Sequence, residues 1–331
     1  MRKSSTDRQP LSIPYTTAAS QFLYGKSVVE AALRASRRKL YKLYVYGGAN
    51  RQNVSRDFAV QRLAERKGVE VQIIEEEGLR LMEKMSAGRP HNGYVLEASP
   101  LPQLPLVGLG QVSEDASKPG FHVNLAHQSA EDAEINGTST FIPYSGTSHK
   151  PLVVVLDQIL DPGNFGAILR TVSFLGATAV AVTKRNSASL TPVALKASAG
   201  ASETLTVFSV DQLSNFLVDS KENGWQVYAA APSMGRSGRH RQVDVHELQD
   251  LDPLAKAPCI LLMGSEGEGL SRQLMSKADS VVSIPNLSGS TVVDSLNVSV
   301  ATGLVCSAFL RGKVKSEFAK LEEKDKGPTL W

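Results

Sequence analysis

From residue 152 to residue 310, short apolar runs alternate with amphipathic stretches of helical spacing, and few architectures can accommodate that order. Strands are expected at 152–156, 179–182, 204–208, 225–229, 259–263 and 280–284, with helices at about 165–175, 191–197, 211–222, 271–278 and 295–310. Runs that are apolar throughout belong to strands covered on both faces, so the pattern predicts an α/β fold: a mainly parallel sheet with helices on both sides. The last helical stretch puts Val298, Val300, Ala301, Leu304 and Val305 on several faces. It must be covered by its own chain or by a second copy.

The first hundred residues repeat the helix-then-strand order on a smaller scale, with helices at 27–36, 54–66 and 76–85 and strands at 40–46, 69–74 and 93–98. Between 100 and 150 the composition shifts to Pro, Gly, Ser, Thr, His and acids with little periodicity, which reads as a linker or a surface insertion. The expected divisions are therefore a disordered or targeting segment at 1–20, a small α/β domain at 21–99, the linker or insertion at 100–150, the larger domain at 151–312, and a frayed, charged tail at 313–331. Arg2, Lys3 and Arg8 among Ser and Thr suggest an organellar import segment, although Asp7 and Pro10 interrupt a clean amphipathic helix.

A hydrophobic content of 42% over 331 residues is a globular composition, and a net charge of +3 permits nucleic-acid binding without requiring it. Cys259 and Cys306 lie in apolar runs without metal-ligand spacing, so buried thiols are expected, with neither disulfide nor zinc. No apolar run approaches the roughly 20 residues that span a bilayer, and no metal set is expected among the histidines. The Asn-x-Ser/Thr triplets at Asn53, Asn136, Asn286 and Asn297 are read as chance or structural.

Three segments carry chemistry. In the first, the strand at 152–156 meets a helix through a turn with two acids, Asp157 and Asp161, followed by Pro162, Gly163 and Asn164; Arg170 lies further along that helix. A strand-to-helix join exposes backbone N–H groups where α/β proteins commonly bind small molecules. A second strand runs into a loop with Gly264, Ser265, Glu266, Gly267, Glu268 and Gly269, whose spacing is neither the dinucleotide fingerprint nor a phosphate-binding loop. The third runs from Ile284 and Pro285 to Asp294, Ser295, Leu296, Asn297, Val298 and Ser299, where Ser295 is expected to cap the last helix and Asn297 and Ser299 to be buried polar groups in its first turns.

Together these segments resemble, in order, the motifs of the SpoU (TrmH-like) family of RNA ribose 2′-O-methyltransferases within the SPOUT superfamily: Asp161-Pro162-Gly163-Asn164-x-Gly166-x-Ile168-x-Arg170-Thr171, then Gly264-Ser265-Glu266-Gly267-x-Gly269-Leu270, then Ile284-Pro285 with Ser295-Leu296-Asn297-Val298-Ser299-Val300-Ala301. The stretch from Tyr24-Gly25 to His91-x-Gly93 is similar to the family's substrate-binding domain, and the basic run with the long linker looks most like fungal mitochondrial enzymes that modify large-subunit rRNA. Asn286 stands where Met is usual, and the loop after it is longer.

The resemblance implies a trefoil knot near the carboxyl terminus, S-adenosylmethionine as cofactor and large-subunit rRNA as partner; the apolar last helix favours a homodimer, and neither a membrane nor a metal is expected. It implies that Thr183, Gly264, Gly269, Ile284, Leu296 and Ser299 hold the cofactor and that Asn164, Arg170, Glu266, Ser295 and Asn297 act in catalysis. Arg170 is the family's proposed proton acceptor, but a guanidinium hardly loses its proton in water, so orienting the ribose or stabilising an alkoxide suits it better. Arg37, Arg38, Lys39 and Lys42, interleaved with Tyr41 and Tyr44, are expected to bind RNA phosphates and bases, with a second basic run at Arg236, Arg239, His240 and Arg241. Two rivals are a catalytically idle RNA-binding assembly factor and a dehydrogenase. A tRNA ribose methyltransferase shares the same motifs.

Overall fold

A computed structural model of the chain describes residues 12–48, 54–115, 117–144, 149–232, 241–288, 292–293 and 295–325, with side chains at all of these except 54–57 and 312–325. The chain divides into two compact units, Met1–Pro100 and Leu101–Trp331.

In the first unit β1 (Gln21–Tyr24), α1 (Lys26–Ala35), β2 (Leu40–Tyr46), α2 (Val54–Arg66), β3 (Glu70–Ile74), α3 (Leu79–Met85) and β4 (Tyr94–Ala98) follow in order. They form a four-stranded sheet in the order β1-β4-β2-β3. The expected helix at 76–85 is split into a 3₁₀ turn, Glu76–Gly78, and α3. The spacing in α1 does what it predicts, since Val28, Val29, Ala32 and Leu33 are all buried. Phe22, Tyr24, Tyr44, Met82 and Val95 build a core on one side of the sheet.

The second unit contains β5 (Leu104–Val112), β6 (Gly120–Leu125), α4 (Ala130–Asn136), β7 (Phe141–Pro143), β8 (Leu152–Leu156), α5 (Pro162–Leu175), β9 (Ala179–Thr183), α6 (Pro192–Ala197), β10 (Thr206–Val210), α7 (Leu213–Glu222) and β11 (Gln226–Ala230). These are followed by β12 (Arg241–Asp244), α8 (Val245–Leu251), α9 (Pro253–Lys256), β13 (Cys259–Met263), α10 (Arg272–Met275), β14 (Ser280–Ser283) and α11 (Val298–Asp325). One ten-stranded sheet runs β12-β14-β11-β13-β8-β9-β10-β5-β6-β7. Every pairing from β12 to β5 is parallel, and β6 and β7 extend the edge antiparallel. All five residues of β8, β9 and β13 are buried, as expected for strands covered on both faces.

The stretch expected to be linker or insertion instead supplies three strands of this sheet. Its docking is specific: the Trp225 indole N–H donates to the Gly110 carbonyl at 2.8 Å, the Leu109 amide donates to the Ser220 hydroxyl at 2.9 Å, and Phe121 packs edge-on against Trp225. The tail also departs from expectation, because α11 continues as helix to Asp325. Residues 1–11, at the suggested import segment, lie outside the described residues, as do Arg236, Arg239 and His240. Both cysteines are free and buried. Burial pushes the Cys306 thiol up to about 12 and the Cys259 thiol higher still, which leaves neither as a ready nucleophile.

Two close approaches fix α5. At Gly166 a Cβ would stand 2.3 Å from the Ala194 carbonyl and 2.5 Å from the Ala197 Cβ, so α5 and α6 meet backbone to backbone. On another side, a Cβ at Gly303 of α11 would lie 3.2 Å from the Thr171 methyl.

Candidate active site at the carboxyl ends of the strands

Asp161 begins α5. Its carboxylate accepts the Asn164 amide at 2.6 Å, with Pro162 in the first turn where a missing N–H costs nothing. The side chain of Asn164 is thereby aimed beyond the strand ends, and its Nδ2 donates to Glu266 in the loop after β13. Its Oδ1 accepts from Asn297 Nδ2 at 3.1 Å. Asn297, not Ser295, caps α11: its Oδ1 takes the Ser299 amide at 2.9 Å and the Ser299 hydroxyl at 2.6 Å. Asn297 is exposed rather than buried, and it finds a partner by reaching across to α5.

These contacts join loops from β8, β13 and β14. In the sheet β11 and β13 separate β14 from β8, yet Asn297, which follows β14 in the chain, contacts Asn164 at the start of α5, which follows β8. Ser295 is exposed. Asn286 closes the earlier part of the loop, donating to the Val293 carbonyl at 3.1 Å and accepting the Ser288 amide and hydroxyl.

The loop after β13 folds back on itself. Ser265 and Gly269 form an isolated antiparallel bridge, and a Cβ at Gly264 would sit 2.5 Å from the Gly269 carbonyl carbon. Gly269 has φ +65, and the space beyond the backbone is open both there and at Gly267. After β9 the Thr183 and Ser187 hydroxyls share a 2.7 Å hydrogen bond. Ile284 is half-buried, and Leu296 is 48% exposed. Open backbone at a glycine loop, a hydroxyl pair and two aliphatic side chains suit a nucleoside that offers one flat apolar face and polar edges.

Arg170 is exposed. Six residues along α5 carry it roughly 9 Å from Asn164 and about 120° around the axis. Among the described residues, no hydrogen bond joins it to the Asn164–Glu266–Asn297 cluster. Asp157, for which the residue pattern suggested no role, is buried at the end of β8. Burial raises its carboxyl above the usual range, against a smaller lowering effect of hydrogen bonding from Thr183 and the Gln158 side chain. The signal for it in the sequence is an acid placed directly after five buried aliphatic residues.

In the first unit the basic cluster separates. Arg38 is 6% exposed and donates to the Ser99 carbonyl at 3.0 Å, so it ties the end of β4 to the start of β2 instead of facing RNA. Lys39 is exposed, Arg37 is half-buried, and Lys42 pairs with Glu70 at 2.9 Å.

A mainly parallel sheet with Asn, Glu and Asn drawn together from three loops at its carboxyl ends is the arrangement of an α/β protein that binds a small molecule at its strand ends. The fold of an S-adenosylmethionine-bound rRNA methyltransferase from Sinorhizobium meliloti matches with a TM-score of 0.62 at 20% identity, covering 89% of this chain and 88% of that one. The methyltransferase AviRb from Streptomyces viridochromogenes matches with a TM-score of 0.59 at 19% identity, covering 90% and 91%.

The chain belongs to the SpoU rRNA methylase family, whose model matches residues 151–307; the model for RNA 2′-O ribose methyltransferase substrate binding matches residues 22–104. Mitochondrial rRNA methyltransferase 1 from Schizosaccharomyces pombe is 31% identical over 286 residues, 86% of this chain and 88% of that protein. Its human counterpart of the same name is 31% identical over 291 residues, 87% and 72%. The 23S rRNA (guanosine-2′-O-)-methyltransferase RlmB of Haemophilus influenzae is 40% identical over 168 residues, 50% of this chain and 62% of that protein.

Proposed function

We propose that this chain methylates the 2′-hydroxyl of a guanosine in mitochondrial large-subunit rRNA and works in mitochondria as a homodimer. The observation that carries the chemistry is the meeting of Asn164, Glu266 and Asn297 from three loops. The substrate and compartment rest on the relatives' names, which specify mitochondrial rRNA and the guanosine 2′-oxygen.

In this reading residues 21–99 bind RNA through Lys39 and Arg37, and residues 151–312 carry the transfer. Thr183, Gly264, Gly269, Ile284, Leu296 and Ser299 hold S-adenosylmethionine in the knotted part of the chain. When bound, it supplies an electrophilic methyl group on a sulfonium. Asn164 and Asn297 hold one geometry because the Asn297 amide donates to the Asn164 oxygen, and Glu266 fixes the rotamer of Asn164. Arg170 meets the ribose and stabilises negative charge as the 2′-hydroxyl loses its proton to solvent or phosphate.

The homodimer covers Phe174 of α5 and Val300 and Leu304 of α11, which are 90%, 51% and 46% exposed. Three large apolar side chains on two helices that pack together are a face in need of a partner. Isologous pairing through it would bring a second Arg170 near the first site.

The test is methyl transfer from labelled S-adenosylmethionine to transcripts of mitochondrial large-subunit rRNA and of tRNA, with the product mapped at nucleotide resolution. Ribose methylation of a guanosine in rRNA is expected, and Arg170→Ala should reduce it at least about a hundredfold while leaving donor binding within about twofold. Label in tRNA alone would overturn the substrate. Absence of transfer at saturating donor and RNA would instead favour an assembly factor.

A further inference from the structure

We propose that Asp157 is a positioning residue for methyl transfer: its buried carboxylate sets the conformation of the 158–161 turn, and through Asp161 it sets the reach of Asn164. The proposal rests on the methyltransferase reading above.

Asp157 is 6% exposed, and among the described residues no cation lies within ion-pair distance of it. A buried carboxylate without a cation costs stability, so packing alone does not account for it. Its place in the fold does. The Asp157 amide donates to the Met263 carbonyl at 2.9 Å, which locks the ends of β8 and β13 together immediately before the Gly264 loop. Its carboxylate faces Thr183 at the end of β9 and the Gln158 side chain.

Gln158 holds φ +56, a left-handed conformation that a Cβ disfavours. Its amide is held by the Ser187 hydroxyl at 3.0 Å, and that hydroxyl also bonds to Thr183. One residue on, the Ile159 carbonyl accepts the Ala188 amide at 2.7 Å. The turn is therefore pinned from the β9 side by a short polar network with Asp157 at its base. Two residues after Ile159 comes Asp161, whose carboxylate holds the Asn164 amide. Loss of the charge at 157 would let Gln158 relax, and the start of α5 would move with it.

The experiment compares Asp157→Asn, Ser187→Ala and the double variant with the unsubstituted enzyme for turnover at saturating RNA and donor, donor affinity, thermal midpoint and amide exchange over 158–166. Asp157→Asn should melt no lower than the unsubstituted enzyme and bind donor within about twofold, lose turnover by about tenfold to a hundredfold, and exchange faster over 158–166. Ser187→Ala should lose less, and the double variant should be no worse than Asp157→Asn alone, because both act through one turn. Turnover and exchange equal to those of the unsubstituted enzyme would overturn the role of Asp157, as would a lowered midpoint that accounts for the rate. If the unsubstituted enzyme itself transfers no methyl group, it is the functional reading that fails.

Discussion

Asn164 uses both ends of its amide, accepting from Asn297 and donating to Glu266. A carboxylate at 164 could not do both with these partners, since it has no donor to offer Glu266. Asp157 offers a test at the same scale that does not depend on turnover. Its carboxyl is raised above 3.8, the value for the unfolded chain, so the folded protein binds that proton more tightly. Below about pH 4 the group favours folding; as pH rises through the folded value that contribution is lost and the ionised form weighs against the fold. An amide at 157 has no such dependence. The thermal midpoint of Asp157→Asn relative to the unsubstituted protein should therefore rise from about pH 4 upward and level off once the folded carboxyl is fully ionised. Melting curves between pH 4 and 7 that show the opposite slope would refute the raised carboxyl.

At the scale of elements, α5 depends on one missing side chain. Gly166→Val would drive a Cβ into the Ala194 carbonyl, which is backbone and cannot rotate away. The helices would separate, costing about 1–3 kcal/mol and lowering the thermal midpoint, and Asn164 would shift from Glu266. Unchanged melting and turnover in Gly166→Val would mean that the contact is slack. The strands of the catalytic half were legible because aliphatic runs such as 152–156 and 259–263 have no reading other than strands buried on both faces. β5, β6 and β7 were not, because Pro105, Gly108 and Gly110 break the pattern and register shifts interrupt the β5–β6 pairing. What holds them is Ser220 and Trp225, over a hundred residues away. Distance in sequence also hid the burial of Arg38, whose partner Ser99 lies 61 residues on, and the contact of Asn297 with Asn164, 133 residues away. The short polar strand β12 offered no apolar run to read, although Asp244 and Glu247 form a capping box at the start of α8.

For the whole molecule, the question is what covers α5 and α11. The expectation that α11 needs covering is met on one face by its own chain, where Val305, Cys306, Ala308 and Phe309 are buried and Phe309 packs edge-on against Tyr228. The other face leaves Val300 and Leu304 open, one helical turn apart, while Phe174 stands one turn beyond Thr171, where α5 meets α11 through Gly303. Burying these three side chains is worth about 1.5–3 kcal/mol each if they are fully covered. That is enough to bias association, while the remaining affinity must come from a wider surface of about 800 Å² per protomer. Phe174→Glu with Leu304→Lys should leave each protomer folded, because neither side chain belongs to a core, yet should shift the mass in light scattering from dimer to monomer at micromolar concentration. If the second copy also completes the site, turnover should fall with the mass and recover as protein concentration is raised. A double variant that stays dimeric would move the interface elsewhere, and a monomer with full turnover would show that one chain carries the whole site.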